Sequence, residues 1–296
     1  MNALDTGRVD KPPTSQDVFE LNGTSGVPNA ADWRERHHAR AAWVFRLVQF
    51  GMLLSIAWKY RFFRAAAGLY VRIPIEHDFF PALLQSAWFA IGHFAAAAAL
   101  FIAGTFVRQT TLRIGVAIAE VYCLTVLCLH QATYNDATFT TLWWTALWSV
   151  WLAFQMRSLS RRTLSDAALL SRMIVSMILL GGAIGKWTAE YWSGEVFYDI
   201  YFVDRDFWVF NLLRDTFQEA DLRRIATVYS RVVVATETAA GFGLWLLPHR
   251  MAAGAGMLLL FCIAFFSNLL LFSVMACLIA MLATGFVVEQ PSHAKR

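Results

Sequence analysis

A chain of 296 residues that is 58% hydrophobic and 16% charged, with a mean hydropathy of +0.48, has too few charges for a water-soluble domain, where about a quarter are charged. Its formal charge of +4 is scattered, and no cluster of Lys and Arg interleaved with aromatic residues marks a nucleic-acid surface. Twelve Trp and twenty-four Phe fit a chain whose solvent is the bilayer, because aromatic rings gather at the membrane–water boundary.

Residues 1–40 hold Pro12-Pro13, Asn22-Gly23 and Gly26-Val27-Pro28 among charges. They read as a largely disordered tail, with an amphipathic helix over Asp32–Arg40 feeding the first span. Residues 41–288 read as one transmembrane domain, and 289–296 as a second tail. Its apolar runs suit helices of the roughly 20 residues that a bilayer requires. They fall at 42–60, 82–107, 111–131, 138–156, 167–187, 228–247, 250–267 and 269–288. Met251 to Val288 is almost continuously apolar and too long for one crossing, so a tight hairpin near Ser267-Asn268 is expected. The predicted fold is an all-α, multi-pass integral membrane helix bundle of eight spans, with seven as the alternative.

Arg108 and Arg113, then Arg157, Arg161 and Arg162, then Arg250 fall in alternate short loops, while the loops at Asn135 and Asn268 carry no Lys or Arg. The positive-inside rule therefore places both termini in the cytoplasm, as in a bacterial inner-membrane protein whose first span is its own insertion signal. Two segments exceed what a connection needs. The first, 60–81, holds Arg61, Arg64, Glu76, His77 and Asp78. The second, 188–227, combines eight acidic residues with Tyr191, Trp192, Phe197, Tyr201, Trp208 and other aromatics. Being both charged and aromatic, it is expected to form interfacial amphipathic helices that cover the outer mouth of the bundle as a lid.

Ionisable residues inside spans are costly and mark sites or interior pairs. His93, Glu120 and Glu237 lie near the middle of different spans and are candidates for a proton relay, or for a plain buried hydrogen-bonded pair. Arg46, near the inner end of the first span, either anchors or binds substrate. Lys186 ends the fifth span beside Gly181, Gly182 and Gly185, small residues that allow close helix approach. It is the only lysine between residues 60 and 294. Because lysine, unlike arginine, lends itself to acting as a base, Lys186 is the candidate base as well as a plain helix-end anchor. Cys123, Cys128, Cys262 and Cys277 lie in apolar runs without a CxxC pair or a histidine at metal spacing, so no metal site is expected.

The run Lys186-Trp187-Thr188-Ala189-Glu190-Tyr191-Trp192-Ser193-Gly194 after small residues resembles the HTTM superfamily, the membrane domain shared with vitamin K-dependent gamma-carboxylase. Arg46 and Tyr134-Asn135-Asp136-Ala137-Thr138-Phe139 add to the resemblance, with Ala137 where the carboxylase has a substrate-assisting histidine. The resemblance implies Lys186 as the base in an outward-opening polar cavity for a quinone-like or lipid-like molecule. Asn135, Asp136, Tyr191, Trp192 and Arg46 would then contact substrate. The expected function is that of a membrane enzyme or redox partner. The alternative is a non-catalytic membrane subunit that binds lipid, peptide or a partner protein.

Overall fold

The computed structural model describes residues 30–72, 82–131, 137–160 and 162–288. Asn135 and Asp136, with Glu76, His77 and Asp78 and most of both tails, lie outside the described residues. Every regular element among the described residues is helical. The long helices α1 (Ala30–Arg72), α2 (Ala87–Phe106), α3 (Thr110–Gln131), α4 (Ala137–Gln155) and α5 (Thr163–Ile184) come first. Two short helices follow, α6 (Ala189–Ser193) and α7 (Glu195–Tyr198), then a π-helical turn (Asp199–Val203) and α8 (Trp208–Thr216). The chain ends in α9 (Glu219–Leu246), α10 (His249–Phe266), α11 (Phe272–Leu282) and α12 (Thr284–Val287).

The breaks follow local chemistry. Ser86 precedes α2 in an extended conformation and its hydroxyl accepts from the Phe89 amide, an N-cap for a helix that opens on alanine. Pro248 separates α9 from α10, since it cannot continue a helix but can stand just ahead of one. The long apolar run breaks where a turn was expected: α10 ends at Phe266, and Asn268 and Leu269 both have positive φ (53° and 57°). Ser267 holds this turn, donating to the Ala264 carbonyl at 2.8 Å and accepting from the Leu271 amide at 3.3 Å. That support matters because leucine pays a steric penalty in the left-handed region.

Successive long helices run antiparallel. Phe63 of α1 stacks on Phe94 of α2 while Gln49 lies against Gly104. Trp143 of α4 donates to Thr125 of α3 at 3.0 Å, and Trp148 donates to the Ala167 carbonyl of α5. Ser176 of α5 donates to the Gly241 carbonyl of α9 at 2.6 Å, and Tyr229 of α9 meets Phe266 of α10. The last apolar pair, α11 and α12, returns along α1 and α10. These contacts give the bundle two ends, one marked by Lys186 and Ser267 and the other by Arg113 and His249. At the second end Arg172 of α5 caps α9, donating to the carbonyls of Leu247 (2.7 Å) and Leu244 (3.3 Å). These carbonyls lack an intrahelical partner, and a cation there also suits the helix dipole.

Five helical stretches are long and apolar enough to cross a membrane: Asp32–Leu69, Ala87–Phe106, Thr110–His130, Thr163–Ile184 and His249–Phe266. They are consistent with a membrane location. Trp88 is 85% exposed, Phe106 75% and Ile184 71%, and so many bare rings and chains suit lipid better than water. Three of the expected spans fall short of that standard for physical reasons. α4 is rich in Thr, Ser and Trp, but it lies inside the bundle, where Thr145 and Ser149 donate to carbonyls one turn back at 2.8 and 3.0 Å. α9 carries Glu237 and several arginines, and α11 has only 11 residues. The first span also differs from expectation. It is continuous with the stretch over Asp32–Arg40 in one helix of 43 residues, about 65 Å long and so roughly twice the thickness of a hydrocarbon core.

Close packing of α1 on α11 depends on Gly51, where an added Cβ would lie 2.6 Å from the Ala280 Cβ and 3.1 Å from the Ala276 carbonyl oxygen. Gly51→Val should destabilise the bundle by about 1–3 kcal/mol through overpacking. Gly115 of α3 has nothing within 4 Å of an added Cβ, so Gly115→Ala should be neutral or gain up to about 1 kcal/mol of helix propensity. Thermal unfolding of both variants in one detergent checks the contrast, and equal effects would contradict this packing.

Candidate functional site

Lys186 follows the last turn of α5, and Glu237 lies on the buried face of α9. Antiparallel packing of these two helices brings the residues together although they are 51 positions apart. The Lys186 Nζ donates to both carboxylate oxygens of Glu237, to Oε2 at 2.6 Å, in a bidentate ion pair. The Glu237 side chain is 7% exposed and that of Lys186 27%, so the carboxylate is enclosed and the ammonium forms part of a wall. The expected close approach at the three glycines does not occur. An added Cβ would meet nothing within 4 Å at Gly181, only its own turn at Gly185, and the Glu237 Oε2 at an ordinary 3.7 Å from Gly182. The tight contact is on the facing helix, where an added Cβ on Gly241 would come within 2.6 Å of Leu180.

The segment after Lys186 is held down by α9. Thr188 caps α6 by accepting from the Tyr191 amide. At the other end of this one-turn helix the Tyr191 carbonyl accepts from the Gly194 amide, and α9 supplies further donors to the last carbonyls. Thr227 donates to the Ser193 carbonyl (2.5 Å), Ser230 to that of Tyr191, and Arg231 to that of Trp192 (3.2 Å). Positions 227, 230 and 231 share one face of a helix, so a single stripe of α9 clamps α6. Gly194 makes this crossing tolerable: its φ is +87°, and an added Cβ would lie 2.4 Å from the Thr227 backbone. The Trp187 and Trp192 rings stack at 5.0 Å, and Tyr191 is placed with its ring 5.9 Å from the lysine nitrogen.

Beyond Gly194 the chain folds around an apolar cluster of Phe197, Phe202, Phe207 and Phe210 with Leu222 and Ala226 of α9. Phe197 stacks on Tyr201 at 4.2 Å and leans on Tyr229 of α9 at 4.4 Å. Arg214 ties the segment by donating to the carbonyls of Phe202 and Arg205. Arg205 lies over the Tyr201 ring and donates to the Ser267 carbonyl at the α10 turn (3.2 Å). Of the segment expected as a lid, residues 188–216 form a run of short helices bound to α9 and to that turn, whereas 219–227 begin α9 itself.

Beneath it lies a cavity of about 360 Å³, within the usual size range of small-molecule sites. Lys186 and Glu237 are its only charged lining groups, joined by the hydroxyls of Tyr191, Tyr201, Tyr229 and Thr236, while Phe197, Val233, Leu259 and Ile263 contribute apolar wall. Burial pushes the Tyr191 and Tyr201 phenols above their ordinary range, so both remain neutral hydrogen-bond donors at any working pH. Thr236 and Leu259 also line an open apolar groove of about 560 Å³ between α9 and α10, which continues through Ala240, Gly243 and Gly256. No family model, curated protein or solved structure matches the chain.

The structure brings Lys186, Glu237 and Tyr191 together at one cavity, with Trp192 in the layer behind. It does not bring the three relay candidates together. α9 packs against α5, the short helices α6–α8 and α10, whereas α2 packs against α1 and α3, and α3 against α2 and α4. His93 of α2 bonds the Phe89 carbonyl at 2.9 Å with its ring beside Phe89 and Tyr122. Glu120 is occupied by Gln49 of α1. Arg46 lies toward the Arg113 end, away from the cavity, so it does not serve as a contact there. Sequence reasoning missed Tyr229 and Thr236. Counting helical turns back from Glu237 would have found them, since 229, 233, 236 and 237 line one face.

Glu237→Gln leaves the Lys186 ammonium without its counter-ion, and Lys186→Gln leaves a buried carboxylate. Each should cost more than the double replacement, giving a coupling of about 0.5–3 kcal/mol in a double-mutant cycle of thermal stability. Gly194→Ala should loosen the clamp on α6, seen as faster proteolysis between residues 187 and 207 without loss of the helical bundle.

Proposed function

We propose that the chain is an integral membrane protein of HTTM type, with eight crossings and both termini in the cytoplasm of a bacterial inner membrane. On this reading the short helices α6–α8 lie at the outer interface, and the cavity beneath them takes the polar head of a quinone-like or lipid-like molecule. The single observation that carries this is the Lys186–Glu237 ion pair in the wall of a largely apolar cavity that runs into an apolar groove. A polar head with a hydrocarbon tail has the same two-part chemistry. The alternating directions of the long helices support the count of eight, and the resemblance of Lys186 to Gly194 supports the family.

The pairing divides the chemical roles. In the ion pair lysine is the cation and glutamate the anion. The vacant base on this wall is therefore the Glu237 carboxylate, and Lys186 is placed to stabilise negative charge as it develops on a hydroxyl-bearing head group. If Lys186 yields its proton to Glu237 first, the amine becomes the base that the resemblance implies. Tyr191 and Tyr201 orient the head group by donating to its oxygens, and the aromatic lid excludes water.

The test is extraction with a mild detergent from native membranes, followed by mass spectrometry of the bound apolar fraction. The wild type should carry an amphiphile in near-stoichiometric amount, and Glu237→Gln and Val233→Trp, which fills the cavity, should each lose at least about tenfold, or about 1.4 kcal/mol of affinity. Bulk lipid alone in all three preparations would overturn the reading. Lys186→Arg keeps the charge while removing an accessible base, so retained ligand with lost turnover would assign Lys186 a chemical role. Retained ligand with no turnover in any variant would favour the non-catalytic subunit.

A further inference from the structure

Glu120, in the middle of α3, is completely buried, and Gln49 of α1 donates to its Oε2 at 3.0 Å. The pairing is incomplete. Glu120 Oε1 and Gln49 Oε1 are both buried without a hydrogen-bond partner. One turn earlier on α1, Arg46 Nε is buried without an acceptor. Unsatisfied polar atoms in such surroundings are costly, so the two at the Glu120–Gln49 pair and the one a turn away on α1 require a physical account. Their inventory is two acceptors and one donor. A water molecule donates twice and accepts once, and buried waters make about three hydrogen bonds. The amide has room because Gly104 of α2 lies against it: an added Cβ there would come within 2.8 Å of Gln49 Oε1.

The seam has a direction. Arg113 is two turns back from Glu120 on α3, only 1% exposed, and close enough to Arg46 for the two charges to interact. It donates to the Val107 carbonyl at 3.2 Å and to Met156 Sδ at 3.8 Å, and His38 meets Thr110 beside it. The remaining titratable neighbours of Glu120 are few. Cys123 is on its own helix, and α2 offers only His93, which is turned to Phe89. α4 carries no ionisable side chain.

We propose that Glu120, Gln49 and Arg46 form a second site that holds ordered water and one exchangeable proton on Glu120, in contact with the Arg113 end of the bundle. A proton from hydronium at that end passes through the water to Glu120 Oε1, forming one O–H bond there and leaving water behind. Oε1 then donates where it had accepted. The site stands apart from the Lys186 cavity, and it holds whether or not that cavity binds an amphiphile.

The test uses the full chain in sealed proteoliposomes treated with dicyclohexylcarbodiimide, which adds to protonated carboxyls in apolar surroundings, followed by peptide mass spectrometry. An adduct is expected at Glu120, absent in Glu120→Gln, and falling about tenfold per pH unit once the carboxyl ionises. With pH changed on one side only, labelling should follow the Arg113 side, and Arg46→Leu, which replaces a half-buried residue, should slow that response at least about threefold. No adduct at Glu120 at any pH, a yield indifferent to pH, or a yield that follows the Lys186 side would each overturn the proposal. Unfolding does not confuse these outcomes, because the first and last are read on the wild type.

Discussion

Lys186 and Glu237 join the end of α5 to the middle of α9 by a bidentate ion pair, beside the Ser176 hydrogen bond to the Gly241 carbonyl. The pair is costly to bury, and it persists because each ion satisfies the other in a place water barely reaches. Its position sets the geometry around it. With α5 and α9 in register, the stripe Thr227, Ser230 and Arg231 meets the last carbonyls of α6. That docking places Tyr191 over the lysine and leaves Gly194 as the one backbone that can pass Thr227. The lid is thus a consequence of the ion pair's register as much as of its own aromatic cluster.

Many polar groups elsewhere in the bundle are satisfied the same way, locally and by named partners. Thr145, Ser149, Ser171 and Thr105 return their hydroxyls to carbonyls four residues earlier, which removes the donor from an apolar setting without needing a neighbour. Arg172 spends its charge on the end of α9. Trp245 and Ser176 close a short chain onto the Gly241 carbonyl. Among the described residues, buried polar atoms without a partner remain at two places, Arg172 Nε and His249 Nδ1 near the end of α9, and Arg46, Gln49 and Glu120 on α1 and α3.

Composition and hydropathy made the class legible, and the break at Ser267-Asn268 was readable because only a turn resolves an apolar run of that length. Lys186 could be singled out as a lone lysine at a helix end, and Glu237 as an acid in an apolar helix. Their partnership could not be read, because it depends on how helices 51 residues apart are set side by side. The proton relay among His93, Glu120 and Glu237 failed for a related reason. Position along a span gives depth, but it gives neither the face of the helix nor the side of the bundle: Glu237 lies on a helix that does not pack on α2 or α3, and His93 turns to Phe89 instead of Glu120. The glycines by Lys186 misled in a similar way, since small residues permit close approach without requiring it. In α4, buried hydroxyls lower hydropathy on a helix that other helices surround, so a lipid-based standard misses it.

The two polar sites also differ in what they can accept. The charged lining of the Lys186 cavity cancels, one ammonium against one carboxylate, so an anionic or cationic head would give up its hydration for a wall with no net opposite charge. A neutral head rich in hydrogen-bond acceptors gives up far less, and the Tyr191 and Tyr201 phenols, held neutral by burial, are donors that suit it. For the function proposed above, this favours a quinone-like head over a charged phospholipid. The Glu120 seam has the opposite character: its orphan groups are too enclosed and too few for an organic head, but water and a proton fit their number and kind. The two proposed sites therefore need no shared relay, and α4, without an ionisable side chain, provides none.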